Sequence, residues 1–205
     1  HVEIQVLGDR HGALRHLFDR DCSVQRRNQK VIEEAPAPAI ELQRRIDLLH
    51  RAQAALAGAG YDNIGTLEML LDANGGFGFL EMNTRLQVEH GVTEAVTGVD
   101  LVQAQIRSAQ GERLDAILPA HIEVTGHAIE ARVCAEDPVR FFPSSGNLRV
   151  FRPPSGVRVE TGYGQGCQVT PFYDASPSKV IARGDNRAQA TAWLEEALAG
   201  FEVVD

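Results

Sequence analysis

The chain has 205 residues, 43% of them hydrophobic and 23% charged, and a formal net charge of −8 at pH 7. That is the make-up of an ordinary soluble globular chain with bulk for one domain or two small ones, and its acidic balance argues against nucleic acid or an anionic membrane as the main partner, though not against a local cationic pocket. No apolar run approaches the roughly 18 residues of a membrane span, no signal-peptide pattern opens the chain, and Cys22, Cys134 and Cys167 are too scattered for a disulfide framework or a zinc site; the expectation is a cytoplasmic protein.

In chain order, VEIQVLGD and ALRHLFD read as two strands around an Arg10 to Gly12 turn. DCSVQRRNQKVIEEAPAPA is polar and reads as irregular, with Pro36 and Pro38 preventing a helix before Ala39. From Glu41 to about Ala59 the period is helical, and Leu42, Ile46, Leu49 and Leu56 form its apolar stripe. IGTLEMLLD and GFLEMNT are strands separated by ANGG; TEAVTG and DLVQAQIRSAQG are helical, the second ending at Gly111. Beyond Pro119 the texture changes to short strands and turns, GHAIEARVCAED, NLRVFRPP, VRVETG and SKVIARG, before a last helix over about Arg187 to Ala199. The expected division is 1–118 and 119–205. A strand pattern begins at His1 and another at FEVVD, so both ends read as cuts through a larger architecture.

The stretch FLEMNTRLQVEH carries the chemistry. Every second residue is polar, Glu81, Asn83, Arg85, Gln87 and Glu89, while Leu80, Met82, Leu86 and Val88 alternate with them. Asn74-Gly75 is a two-residue hairpin signal, which sets Ala73 against Gly76, Asp72 against Phe77 and Glu68 against Glu81; Leu67, Met69, Leu71, Leu80 and Met82 then share the core side. Carboxylates directly opposite each other on paired strands, with Cβ atoms about 5 Å apart, repel. Solvent screening on an open hairpin face is one remedy and a raised pKa another. The third is a divalent cation, and Asn83 completes the oxygen set that Mg²⁺ or Mn²⁺ prefers. Arg85 offers a planar fork for a small planar anion, and Gln87 and Glu89 stand ready to orient it and take its proton.

FLEMNTRLQVEH followed by VTEAVTGVDLV, with RDCSVQRRNQKVIEEAPAP and GHAIEARVCAEDP, resembles the biotin carboxylase component of biotin-dependent carboxylases, an ATP-grasp enzyme, over nearly the whole chain. The resemblance implies an α+β fold, the C-terminal subdomain of an ATP-grasp core with an antiparallel sheet and flanking helices (1–118), followed by a truncated biotin carboxylase C-terminal domain (119–205). It implies an ATP-dependent ligase that makes carboxyphosphate from ATP and bicarbonate and passes CO₂ to N1′ of biotin on a carrier protein. Glu68, Glu81 and Asn83 match the metal ligands; Arg85, Gln87 and the Val88 backbone match the bicarbonate site; Glu89 matches the general base. Lys30 matches a lysine near bicarbonate and phosphate, and Arg132 the arginine that steadies the biotin enolate. His1, Gln25, Asn28 and Leu70 match positions around ATP. Implied partners are the biotin carboxyl carrier domain and a carboxyltransferase, with homodimer formation open because RPPSGVRVE is short.

Departures are Asn28 where histidine is common, Gly91 where proline is usual, and Ser176-Pro177 in place of an apolar pair. No phosphate-cradling glycine loop or lid is present in these residues, so the chain alone is expected to be inactive. A carbamoyl-phosphate-synthase-like ligase and a non-catalytic assembly module are the rival readings.

Overall fold

The computed structural model describes residues 1–72 and 74–204. In chain order the elements are β1 (Val2–Gly8), β2 (Leu14–Arg26), β3 (Gln29–Ala35), α1 (Leu42–Ala57), β4 (Asn63–Leu71), β5 (Phe77–Asn83), α2 (His90–Thr97), α3 (Leu101–Ala109) and α4 (Leu114–Ile117). There follow β6 (His127–Val133), β7 (Gly146–Asn147), β8 (Val150–Arg152), β9 (Arg158–Thr161), β10 (Gln168–Val169), β11 (Ser178–Gly184), α5 (Arg187–Ala199) and β12 (Glu202–Val204). Eight strands make one sheet in the order β5-β4-β1-β2-β3-β6-β11-β9, and every pairing in it is antiparallel. The sheet crosses the change of texture at Pro119 through the β3–β6 ladder, Ile32 to Ala35 against Ala131 to Ala128.

Helices cover both faces. On one, Val2, Ile4 and Val6 of β1 pack with Leu67 against Leu48, Leu49 and Ala52 of α1, while Ile129, Ala131, Val180 and Ala182 receive Ala190, Leu194 and Ala197 of α5. On the other, Val92 and Val96 of α2 lie over Ala35, Ala128 and Ile181, and Leu101 and Ala104 of α3 lie over Leu7 and Ile64. The Asp100 side chain accepts from the Gln103 N–H and starts α3.

Three local expectations change. The segment read as irregular is a hairpin: β2 runs on to Arg26 and β3 returns from Gln29, with Arg27 and Asn28 both at positive φ (52° and 64°). That is the two-residue turn whose twist suits an antiparallel pair. In α1 the stripe sits on Leu48, Leu49 and Ala52; Leu42, the first helical residue, is 67% exposed, because the inward phase is set by the residues over β1, alanine included. The β4–β5 register also differs. Leu71 faces Phe77 and Met69 faces Phe79, and then a bulge restores Glu68 opposite Glu81. The Asp72 N–H bonds to the Gly76 carbonyl, not across to Phe77, and the expected partner of Gly76, Ala73, lies outside the described residues. Leu80 is the surplus residue of the bulge and is half exposed, not core.

Candidate functional site

Four strands carry one line of charge across the sheet. Glu81 of β5 faces Glu68 of β4, Glu68 faces Glu3 of β1, and Glu3 faces Arg20 of β2. Glu3 and Arg20 are fully buried. Three carboxylates in a row would be untenable on repulsion alone, and two cations hold them. Arg20 donates to Glu3 Oε2 from Nε at 3.1 Å and from Nη2 at 2.9 Å, and also to Gln5 Oε1, Thr93 Oγ1 and Gln87 Oε1. Lys30 Nζ donates to Glu3, to Glu68 Oε1 at 2.8 Å and to Glu89 Oε1 at 2.8 Å.

The polar ridge read as one strand is two structures. β5 stops at Asn83, and Arg85, Gln87 and Glu89 lie on the turn leading into α2, of which Glu89 is the N-cap residue. Gln87 and Glu89 are buried there while Arg85 and Val88 stay exposed. A strand would have aimed all five groups one way; the turn folds Gln87 and Glu89 back over the row of carboxylates, and Gln87 Nε2 donates to Glu68 Oε1 at 2.7 Å.

Glu68 and Glu81 converge on a single atom, accepting from Asn83 Nδ2 at 2.9 and 3.3 Å. The gap between them is therefore one small ligand wide. Asn83 turns its amide nitrogen, not the expected oxygen, toward them, because an N–H donor satisfies facing carboxylates. Two carboxylates and an amide that can present its oxygen by rotating suit a hard divalent cation. Arg85 donates to the Leu86 carbonyl and pairs with no carboxylate among the described residues, so its fork faces a cleft of about 250 Å³. Lys30, Glu68, Glu81, Asn83, Gln87, Val88, Glu89, Arg132 and Asn28 line the same cleft, as do Glu136, Asp174 and Ser176 of the later strands and loops. Arg132 of β6 reaches in with Nη2 3.1 Å from Glu89 Oε2 while its Nε donates to Glu33 at 2.7 Å.

Burial works to raise the Glu89 carboxyl, but the charges of Arg20 and Lys30 outweigh it and hold the group at about 2. Burial likewise works to lower Lys30, and Glu3 and Glu89 raise it above its usual value. Of the residues matched to ATP, His1 places Nε2 2.8 Å from Glu68 Oε2 and meets Gln25 Nε2 at its Nδ1, 3.0 Å away. Asn28 is the tip of the β2–β3 turn. Leu70, two residues beyond Glu68, is half exposed and is not among the residues that line the cleft.

Glu3, Gln5 and Arg20 were not singled out by sequence. VEIQVLG reads as a strand of alternating pattern and nothing in it marks Glu3 or Gln5 as inward, yet β1 is buried on both faces. Arg20 lies just past the strand read as ALRHLFD, and only the continuation of β2 to Arg26 sets it opposite Glu3.

Residues 1–117 match the family described as "Carbamoyl-phosphate synthase L chain, ATP binding domain", and residues 130–205 match "Biotin carboxylase C-terminal domain". Biotin carboxylase 2 of Bacillus subtilis (strain 168) is 49% identical over 99% of this chain and 46% of its own length. The mitochondrial methylcrotonoyl-CoA carboxylase subunit alpha of Arabidopsis thaliana is 48% identical over 99% of this chain and 28% of that protein. Among solved structures, the biotin carboxylase domain dimer of Hydrogenobacter thermophilus 2-oxoglutarate carboxylase, in complex with MgADP, ADP and bicarbonate, matches with a TM-score of 0.95 at 42% identity, over 99% of this chain and 45% of that one. The chain thus spans less than half the length of these relatives.

Proposed function

The chain belongs to the family of the carbamoyl-phosphate synthase L chain ATP-binding domain, in its biotin carboxylase form, and from that premise we propose that the protein containing it carboxylates N1′ of biotin on a carrier protein, using ATP and bicarbonate. The observation that carries this reading is the meeting of a carboxylate pair, an arginine fork with no carboxylate partner among the described residues, a lysine and a buried glutamate in one cleft. Glu68 and Glu81, with Asn83, are the residues that would hold Mg²⁺ or Mn²⁺, and such an ion would offset phosphate charge as the γ-phosphoryl group moves. Arg85, Gln87 and the Val88 backbone hold bicarbonate. Its oxygen takes the phosphoryl group, giving carboxyphosphate, while Glu89 accepts its proton. A carboxylate held near 2 is a weak acceptor. Its basicity rises when Lys30 and Arg132 turn from it to the arriving anions, which ties proton transfer to substrate binding. Carboxyphosphate then breaks into CO₂ and phosphate, the phosphate takes the N1′ proton, Arg132 faces the negative charge this leaves on the biotin ureido oxygen, and N1′ bonds to the CO₂.

Asn28, which lines the cleft, and His1, Gln25 and Leu70, which lie outside its lining, are proposed to contact the nucleotide. A biotin carboxyl carrier domain and a carboxyltransferase are the partners this chemistry calls for, and a homodimer belongs to the same reading. No helix among the described residues is long and apolar enough to cross a membrane. The 205 residues by themselves are proposed to turn over negligibly, since an ATP-grasp site closes on its nucleotide from two sides.

The test is ATP hydrolysis by the full-length protein. It should require both bicarbonate and biotin, and Glu81→Gln should lower it ~100-fold or more, the scale of losing a metal-bound phosphate clamp. Hydrolysis indifferent to biotin and bicarbonate, or to Glu81→Gln, would overturn the reading.

A further inference from the structure

Behind Arg132, on the face of the sheet covered by α2, lies a second block of buried charge. Glu33 of β3 and Glu130 of β6 are direct partners in the ladder, and both are fully buried. One step along the same face, Arg132 of β6 is opposite Lys179 of β11, which is opposite Glu160 of β9. Glu33 grips Arg132 at Nε and Nη2, 2.7 and 2.6 Å away. Lys179 Nζ lies 3.3 Å from Glu130 Oε2 and 3.0 Å from Glu160, and donates to the carbonyl of Val88. Gly91 lies against this block: a Cβ there would run into Ile181 Cδ1 and come within 3.3 Å of Glu130 Oε2.

One feature is out of balance. Among the described residues Glu33 Oε2 and both oxygens of Glu130 have no hydrogen-bond partner, and Lys179 stands off at 3.3 Å from Glu130 Oε2 as an ion pair. With both ionised, across paired strands and about 5 Å apart at Cβ, Arg132 would serve only Glu33 Oε1 of the pair, and Lys179 at 3.3 Å would be the sole cation beside Glu130 among the described residues. That is more costly than a pair in which one proton turns an oxygen into a donor. The groups facing Glu33 are Arg132, Glu89 and Glu3, and those facing Glu130 are Lys179, Glu33 and Glu89, so neither member gains a cation of its own free of other carboxylates.

We propose that Glu33 and Glu130 share one proton and act as positioning residues, Glu33 aiming Arg132 at the cleft and Glu130 holding Lys179, and through it the Val88 carbonyl, for carboxyl transfer. The positioning half rests on the carboxylase reading above; the shared proton does not. Burial supports it by pushing Glu33 up to about 7 and Glu130 up to about 8 against the pull of Arg132 and Lys179. The pair should therefore lose its proton only as pH rises through that window, and the second charge then tightens Glu33 on Arg132 at the expense of the cleft.

Two measurements on the full-length protein test this. In infrared spectra recorded across pH, wild type should show a protonated-carboxyl stretch that fades between about pH 7 and 8, and the band should be absent from Glu130→Gln and from Glu33→Gln. In steady-state assays Glu33→Gln should lower kcat/KM for biotin roughly 10–100-fold, as losing a charged hydrogen bond does, with KM for ATP unmoved. Glu130→Gln should remove the ionisation near neutral pH from the rate profile. If Glu33→Gln does not fold, Glu33→Asp, which withdraws the same charge by one methylene, carries the same expectation. A band insensitive to both substitutions, or folded variants with wild-type biotin kinetics and pH profile, would overturn the proposal. Absence of any biotin-dependent turnover in wild type would sink the carboxylase reading and with it the positioning role, and the infrared arm would still decide the shared proton.

Discussion

Glu33 and Glu34 are neighbours on β3, yet the fold drives their acidities apart. Their side chains leave opposite faces of the sheet. Glu33 is buried beside Glu130 and held up at about 7, against the pull of Arg132. For Glu34 burial is outweighed by hydrogen bonds from His127, at 2.7 Å, and from Arg187 of α5, at 2.6 Å, which bring it down to about 2. A carboxylate depressed from its ordinary 4.5 contributes stability that is present above that value and is lost as pH falls toward about 2. Glu34→Gln should therefore destabilise the protein by about 1–2 kcal/mol at neutral pH, less than the full shift because Arg187 is exposed and solvent screens the pair, and the difference from wild type should vanish below about pH 2; urea unfolding across pH measures it. A constant difference at all pH values would mean packing, not charge, is at stake. None of this could be read from VIEEAP, because two adjacent glutamates look alike until each face acquires its cover.

The β2–β3 hairpin shows what an element needs beyond pattern. Its polarity hid it, since Lys30 points into the cleft and Glu33 into the buried block behind Arg132, and no apolar stripe announces the strands. What makes it a hairpin is Arg27-Asn28, two residues in the left-handed region that costs most side chains about 1–2 kcal/mol. Asn28→Gly should keep the turn and its stability within about 0.5 kcal/mol, while Asn28→Val should cost about 1–2 kcal/mol, both by thermal melting. If nucleotide affinity falls in the glycine variant with the fold intact, the amide itself touches the nucleotide. The β4–β5 hairpin teaches the opposite lesson. Glu68 opposite Glu81 is legible from NG counting, but two departures cancel: the turn shifts the register by one and the bulge shifts it back. The carboxylate pair was readable because it is local; Glu3 and Arg20 were not, because only the β4-β1-β2 order brings them alongside.

At the scale of the whole molecule, antiparallel α+β architecture follows from the alternation of short strands with amphipathic helices, and the place where strands of the two sequence textures join does not. β3 pairs with β6, so the cleft draws Lys30 from before Pro119 and Arg132 from after it. A chain ending at residue 118 would leave β3 as a bare edge with Ile32 stripped of its cover from β6, β11 and α5, a template for self-association. Such a fragment should sediment as aggregates or oligomers and lose amide-exchange protection in β3; a monomer with β3 protected would show that the first strands stand alone.

The bulge in β5 has a further consequence. Leu80 has no partner in β4: Met69 takes Phe79 and Glu68 takes Glu81. Removing Leu80 would thus leave every cross-strand pair as it is, a deletion silent in the ladder. What the extra residue supplies is pitch: a bulge sharpens the local coil of the ribbon, and so it governs the angle at which Glu81 leans over the cleft while leaving its opposite number unchanged.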